Sequence, residues 1–573
     1  MAYFDRFVDS RRPELEKRGH EMTIIAQDPT VTKEGRILTA QVRVPADLLA
    51  LGPRSHRFHV VDYDSTSGQL LPPVDLNDPE REGGWSYRDR FLEADDATLT
   101  SSAAFHAQNV YAIAARTLAH FEFALGRRLP WGFAGHTLYL VPHAFAEANA
   151  YYSREDQGLL FGYLPDETGE TVYTCLSHDI VAHETTHAIL DGLRPRFMKP
   201  GLPDQAAFHE ALADIVALLS VFSIRELVES QLAEEEGRVP EGTLSEAEFK
   251  SSALYQLAEQ FGRATRPDRG SALRRSLELD PGEGWKSDLE FEEPHRRGEV
   301  LVAAVMRAHV AMWGGRVRDL IEAKALTRRR AAEEGAKSAD HLLRMAIRSI
   351  DYAPALEFEF EDFLDAVLTS DEITAPDDEH GYRDSLRHAF AAFGIEQPQG
   401  RTVDLAEMPL GYRNVNFTAL RADPDEVFRF IWQNADLLQV DRGLFLSVDA
   451  VRPSVRVGPD GLIVNEVVAD YAQSVNSTAG ELAGTMEIPP DLAPETEIQL
   501  WGGGTLIFDQ FGMARLHQRK PLEDWDRQSR RLAYLVRRGY YDTRGRLGFS
   551  YGSGQGLRFA DLHVRNRRAG EDW

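Results

Sequence analysis

The pattern of apolar and polar positions divides the chain into three regions. Residues 36–45 and 57–64 alternate or carry β-branched side chains, which indicates strands and a β-rich region over residues 1–95. Between residues 101 and 395 a few strand-like runs are followed mostly by helical spacing, as in residues 208–219. Strand-like runs return after the Pro and Gly residues at 397–400. The pattern therefore predicts an α+β fold.

Chain length agrees with several units, because 573 residues are too many for one hydrophobic core. The shifts in pattern place the boundaries. We predict a β-rich N-terminal domain over residues 1–95, a mixed central domain over residues 96–396 and a β-rich C-terminal domain over residues 397–573. Two glycine clusters, at 502–504 and 552–556, lack the strand-to-helix setting and the lysine of a phosphate loop, so they are interpreted as turn or tail.

Charge and composition limit the partners. The net charge of −27 argues against nucleic-acid binding, which requires concentrated Lys and Arg. Cys175 is the only cysteine, so we expect no disulfide within the chain and no thiolate zinc site, and a small buried side chain at this position. The first residues do not resemble a secretion signal, and apolar runs such as 215–224 are too short to span a bilayer. The expected location is the cytoplasm, with no membrane partner.

The strongest chemical signal is an H-E-x-x-H arrangement in residues 181–191. His183 and His187 are four residues apart, so on a helix both imidazoles lie on one face and can reach a single metal ion. Glu184 lies beside them and can accept a proton. This spacing predicts a metal site with an adjacent general base.

A second helix supplies the remaining groups. Glu210 and Asp214 are four apart in an apolar helical pattern, where buried carboxylates without partners would be costly. Catalytic zinc usually takes three protein ligands, and two His with one Glu is a common set, so Glu210 is predicted as the third ligand. Asp214 and Asp191 are predicted to hold the outer nitrogens of the ligating imidazoles.

These motifs together resemble the thermolysin-like zinc metallopeptidases, a gluzincin class, over about residues 101–395. The segment around His183 and Glu184 and the Glu210–Asp214 spacing both match the family pattern. The resemblance implies a two-lobe catalytic domain, with a β-rich N-lobe and a helical C-lobe, flanked by the two β-rich domains. It also implies Zn²⁺ as cofactor and a peptide or protein as substrate.

The resemblance implies further roles. Asn149 and Ala150 match the strand that binds the substrate backbone, Arg274 matches an arginine that contacts a substrate carbonyl, and His295 matches the histidine that stabilises the tetrahedral intermediate. The family tyrosine has no match in residues 188–209, where Arg194, Arg196 or His209 are the alternatives. A calcium site is implied only by Asp179, because apolar residues follow Asp214 where further acidic ligands are expected.

The predicted function is a zinc-dependent endopeptidase in which Glu184 is the general base. Two alternatives stay open. One is a zinc-bearing binding or scaffold protein with weak or no catalysis, suggested by the missing tyrosine. The other is an aminopeptidase or amidase that acts on small substrates. The sequence does not indicate the cleavage specificity, the oligomeric state, or the role of the flanking domains.

Overall fold

The computed structural model describes most of the chain, in thirteen segments. These are residues 19–29, 32–33, 35–45, 47–77, 87–147, 149–165, 171–232, 239, 276, 278–411, 416–421, 423–458 and 461–541. Helices and sheets are both present, which confirms the α+β class.

The N-terminal region is built from short strands. They are β1 Gly19–Ile25, β2 Thr32–Lys33, β3 Arg36–Ile37, β4 Thr39–Pro45, β5 Phe58–Val60, β6 Tyr63–Asp64 and β7 Gln69–Leu70. β1 and β4 pair antiparallel, and β4 alternates exposed and buried positions, so Ala40, Val42 and Val44 face the core. This core is continuous with that of the following helices, so the segments on either side of residue 95 share it.

A long helix and a five-stranded sheet form the next layer. The elements are α1 Asp96–Ser101, α2 Ala103–Leu125, β8 Leu138–Phe145, β9 Ala150–Ser153, β10 Gly158–Pro165 and β11 Thr171–Tyr173. The sheet order is β11-β10-β8-β5, and β9 also pairs with β10. β8 is parallel to β5 and β10, whereas β9 and β11 are antiparallel to β10. Ser102 caps α2 by accepting a hydrogen bond from the Phe105 N–H.

The helical region follows a short 3₁₀ turn at Thr174–Leu176. Its helices are α3 His178–Leu193, α4 Pro203–Phe222, α5 Arg225–Gln231, α6 Pro294–Glu322, α7 Arg328–Tyr352, α8 Phe360–Thr374 and α9 Tyr382–Ala391. α4 packs against both α3 and α6. Proline at the first position of α4 and of α6 suits a helix start, because its missing N–H would have no partner in the helix.

Two of these helices, α4 and α6, are long and apolar enough to cross a membrane by composition alone. Their most apolar windows are nevertheless 89% and 78% buried inside the protein. This burial is what core helices of a folded chain show, and the apolar character of α4 is explained by its packing. The cytoplasmic location stays a prediction.

The C-terminal region contains a second five-stranded sheet with helices around it. Its elements are β12 Thr402–Asp404, α10 Phe417–Leu420, α11 Pro424–Gln433, α12 Ala435–Leu438, β13 Phe445–Val457, β14 Ile463–Thr478, α13 Ala479–Leu482, β15 Glu497–Asp509, β16 Ala514–Lys520 and α14 Trp525–Arg537. The order is β12-β16-β15-β14-β13, antiparallel throughout. The strands predicted in this region are confirmed.

The interpretation of Gly502–Gly504 as a turn is wrong. These glycines lie inside β15, and Gly503 has a φ of +150°. A Cβ atom on Gly503 would lie 2.3 Å from the carbonyl oxygen of Tyr471 on the neighbouring strand. Glycine is therefore required there by the close approach of two strands.

Buried ion pairs join the C-terminal sheet to the helical region. Asp351 accepts hydrogen bonds from Arg127 Nη2 at 2.7 Å and from Arg456 Nη2 on β13 at 2.9 Å. Arg194, which directly follows α3, donates to Asp470 on β14. Burial by itself would raise the pKa of Asp351, but Arg127 and Arg456 hold that pKa well below its ordinary value.

We expect Asp351→Asn to destabilise the protein by about 3–5 kcal/mol, because it leaves buried arginines without their counter-charge. The free energy of unfolding in urea measures this. Since the folded pKa is depressed, the contribution of Asp351 is present above its unfolded pKa of about 3.9 and is lost as the pH falls through the folded value. The difference between wild type and variant should therefore shrink in acid.

The matched control is Asp436→Asn, since Asp436 pairs with Arg442 and its side chain is 86% exposed. An exposed pair contributes little, so this variant should stay within about 0.5 kcal/mol of wild type. Equal free energies of unfolding for the two variants would show that the ion pairs at Asp351 do not stabilise the contact between the two regions.

Candidate metal centre

Helix α3 presents two buried imidazoles on one face. His183 and His187 are separated by one turn, and their Nε2 atoms are 2.9 Å apart. Thr185 and Thr186 between them donate their hydroxyls to carbonyls one turn back, at 2.6 and 2.8 Å, so both hydroxyls are satisfied within the helix. The helix therefore directs two nitrogen donors to a common point.

Glu210 on α4 completes the group. Its Oε2 lies 3.5 Å from His183 Nε2 and 3.6 Å from His187 Nε2. The residue is buried, and neither carboxylate oxygen has a hydrogen-bond partner within the described part of the chain. Burial opposes the charge on Glu210, yet the imidazoles of His295 and His187 hold its pKa well below the ordinary value. Three donor atoms thus converge on a point that suits a cation.

Asp214 has the position that the sequence predicted. His183 Nδ1 lies 2.8 Å from Asp214 Oδ1, one turn beyond Glu210 on α4. A carboxylate only accepts, so the Nδ1 of His183 carries the hydrogen, and in the neutral ring Nε2 then presents a lone pair to the centre. This contact fixes both the ring orientation and the tautomer that a metal requires.

The structure gives Asp191 different partners from those predicted. Its Oδ2 accepts hydrogen bonds from the Tyr152 hydroxyl at 2.8 Å and from Arg154 Nε at 2.6 Å. A Cβ atom on Gly132 would approach Asp191 Oδ2 to 2.1 Å, so the chain also packs closely on this carboxylate. Asp191 therefore joins helix α3 to β9 through these contacts.

Glu184 is fully buried next to β9. Its Oε2 accepts the backbone N–H of Tyr152 at 3.0 Å, which fixes the carboxylate relative to the strand. The side chain follows directly after His183 on α3. A buried carboxylate that is held in one orientation, and that follows a candidate metal ligand in the chain, is a candidate general base.

His295 begins helix α6 and reaches the same centre. Its Nε2 lies 3.2 Å from Glu210 Oε2, and its Nδ1 lies 2.8 Å from the helix-capping residue Glu293. Burial would lower the pKa of His295, but the carboxylates of Glu210 and Glu293 raise it well above the ordinary value. The structure therefore brings a cationic imidazole to the group formed by His183, His187 and Glu210.

The predicted substrate residues have different outcomes. Ala150 lies in β9 opposite Phe161 of β10. Asn149 precedes it, and its side-chain oxygen accepts the Ala150 N–H at 3.0 Å. Arg274 lies outside the described residues.

Of the alternatives to the missing tyrosine, both arginines bind the C-terminal sheet. Arg194 pairs with Asp470, and Arg196 pairs with Asp449. His209 lies behind the centre, with its Nδ1 3.5 Å from His187 Nδ1. Burial is the larger cause and the neighbouring His187 the smaller cause that lower the pKa of His209 to about 3, so this ring is neutral at pH 7.

The predicted calcium ligand Asp179 accepts a hydrogen bond from the Ser177 hydroxyl, and the calcium site stays a prediction.

Sequence reasoning missed the residues that orient the site. Tyr152 contacts Asp191 and Glu184, and Arg154 contacts Asp191. Glu293 contacts His295. The sequence analysis predicted none of these contacts. Glu293 could have been found from its position just before Pro294, because proline favours the first position of a helix and the residue before it is then the helix cap. The contacts of Tyr152 and Arg154 depend on how β9 packs against α3, for which the sequence carries no local signal.

Comparison with protein-family models gives no match, and comparison with curated proteins gives no match either. Function is therefore inferred from the arrangement of the side chains.

We expect Asp214→Asn to weaken Zn²⁺ affinity by about 10- to 100-fold, because the amide no longer fixes the His183 ring as a charged acceptor does. Competition against a chromophoric chelator measures this. The matched control is Asp384→Asn on α9, whose side chain is 75% exposed and pairs with Arg387. Equal affinities in the two variants would contradict the role given to Asp214.

Proposed function

We propose that this protein is a zinc-dependent metallopeptidase of thermolysin-like, two-lobe architecture that hydrolyses peptide bonds with Glu184 as general base. The observation that carries the proposal is the convergence of two imidazole Nε2 atoms on a buried carboxylate without a hydrogen-bond partner among the described residues, at Glu210. Glu184 lies next to one of these imidazoles in the chain and is also buried.

The donor set supports zinc. His183, His187 and Glu210 offer two nitrogens and one oxygen, which is a common catalytic zinc set that leaves one coordination position for water. The outer nitrogen of His183 is held by Asp214, as ligating imidazoles usually are. When bound, zinc would supply Lewis-acid chemistry by polarising a water molecule and a substrate carbonyl.

Glu184 would move the proton. Its Oε2 is oriented by the Tyr152 N–H, so the carboxylate can accept a proton from the attacking water. The same carboxylic acid then returns that proton to the nitrogen of the leaving amine. The proton therefore passes from water to the amine, and Glu184 is regenerated as a carboxylate.

His295 would stabilise the negative charge that develops on the carbonyl oxygen. Glu293 holds its Nδ1, which fixes the ring and favours the imidazolium form. The Nε2–H then faces the group formed by His183, His187 and Glu210, where a substrate oxyanion would form. A donor that is already oriented needs no rearrangement during the reaction.

Strand β9 is the proposed binding edge for an extended peptide. It pairs with β10 along one edge, and the Tyr152 N–H on β9 already contacts Glu184. An added strand at this position would bring the peptide close to the general base. In this proposal Asn149 and Ala150 lie where the substrate backbone enters.

We expect Glu184→Gln to keep zinc but to lower cleavage of an unstructured protein such as casein by about 10²–10⁴-fold, because the amide cannot accept the proton. Zinc content and initial rates are measured on the same preparations. The control is Glu226→Gln, an exposed glutamate on α5.

Zinc retention with full activity in Glu184→Gln would contradict this mechanism. If the wild type and Glu184→Gln both retain zinc and the wild type cleaves no peptide, the scaffold alternative is favoured.

A blocked internal peptide and a free-amine aminoacyl substrate separate the two kinds of peptidase. We expect the blocked peptide to be cleaved at least about tenfold faster in kcat/KM, since binding along β9 uses backbone on both sides of the scissile bond. Cleavage of the free-amine substrate alone would contradict endopeptidase activity.

A further inference from the structure

A second group of side chains that can bind a metal ion lies in the part of the chain that precedes α3. It consists of His106 on α2, His143 on β8 and Cys175 in the 3₁₀ turn at Thr174–Leu176. The three ligand atoms all lie within 4.8 Å of one another. His106 and Cys175 are fully buried and His143 is 8% exposed. None of these side chains has a role in the peptidase mechanism.

The outer nitrogens of the two imidazoles both face acceptors. His106 Nε2 lies 3.0 Å from the carbonyl oxygen of Thr100, and His143 Nδ1 lies 2.9 Å from Asp62 Oδ1. A carbonyl and a carboxylate accept but do not donate, so each outer nitrogen must carry a hydrogen.

In neutral imidazoles the inner nitrogens therefore both carry lone pairs. These are His106 Nδ1 and His143 Nε2, and they lie 2.8 Å apart. Two facing lone pairs repel, so a positive centre is needed between them. That centre is either an additional proton or a metal ion.

Part of this pattern also occurs in the group formed by His183, His187 and Glu210. The Nε2 atoms of His183 and His187 face each other at 2.9 Å, while the outer nitrogen of His183 contacts the Asp214 carboxylate. An imidazole whose outer N–H is held by a carboxylate or a carbonyl is typical of a metal ligand. Cys175 adds a sulfur donor, which an ordinary hydrogen-bonded imidazole pair would not require.

We propose that His106 Nδ1, His143 Nε2 and Cys175 Sγ form a second metal site, suited to a borderline-soft divalent ion such as Zn²⁺. Two imidazoles and a thiolate are a donor set that zinc accepts. Binding displaces the thiol proton, which passes to solvent, and forms the metal–sulfur bond. The two positive charges of the ion are then balanced by the thiolate and by the Asp62 carboxylate.

The position of the site gives it a structural role. It would join α2, β8 and the turn from which α3 begins, because each element supplies one donor. Ion binding would therefore stabilise the layer that supports the metal helix, without contact with substrate. The inference does not depend on peptidase activity.

The test uses zinc content and cobalt spectra of the full chain. Wild type should hold about two zinc ions per chain, and Cys175→Ser and Glu210→Gln about one each. With Co²⁺ in place of zinc, the thiolate-to-cobalt charge-transfer absorption should be present in wild type and in Glu210→Gln but lost in Cys175→Ser. The Glu210→Gln protein leaves the second site unaltered, so the test does not depend on the folding of Cys175→Ser.

The matched control is His517→Gln, which removes another buried histidine, one that contacts the Tyr471 hydroxyl at 2.8 Å. It should keep wild-type zinc content and the cobalt band. Absence of the band in cobalt-saturated wild type would overturn the proposal and would favour a protonated imidazole pair held by Asp62. A wild-type content of about two zinc ions per chain in Cys175→Ser would overturn it too, because the second site would then not require the sulfur. Absence of peptide cleavage by the zinc-loaded wild type, with the cobalt band present, would contradict only the proposed peptidase function.

Discussion

The carboxylate of Glu210 is the constraint on which the arrangement of His183, His187 and His295 depends. A buried carboxylate without hydrogen bonds is costly, so its position requires a compensating positive charge. Two imidazoles on α3 and one at the start of α6 converge on the same oxygen, and the imidazolium form of His295 supplies part of that compensation. A bound cation would complete it, because the imidazole of His183 is held by Asp214 with its lone pair towards the centre. The packing of α3, α4 and α6 therefore determines where the donor atoms of this group lie.

The regions outside this group contribute through buried polar contacts. Arg194 follows the last residue of α3 and binds Asp470 in the C-terminal sheet, while Asp351 at the end of α7 binds Arg456. Close to Arg194, Asp191 binds Tyr152 and Arg154 next to β9. Breaking any of these contacts would leave a buried charge, and the contacts of Asp191 and Arg194 together hold the C-terminal end of α3.

The sequence predicted the features that depend on local spacing. His183 and His187 share a helix face because they are four residues apart, and the same spacing places Asp214 beside Glu210. Contacts between distant segments could not be predicted from the sequence, because no periodicity relates Asp191 to Tyr152 or His106 to Cys175. The glycines at 502–504 show a different limit. Glycine usually marks a turn, but in β15 it permits the close approach of a neighbouring strand, which only the structure shows.

Anomalous X-ray diffraction at the zinc absorption edge, on crystals of the zinc-saturated protein, tests the central claim most directly. We predict a peak about 2.0–2.2 Å from the Nε2 atoms of His183 and His187 and from a Glu210 oxygen. A map from fully ordered, zinc-saturated crystals without a peak there would contradict the account. In that case the buried charge of Glu210 would be compensated by protonated imidazoles alone.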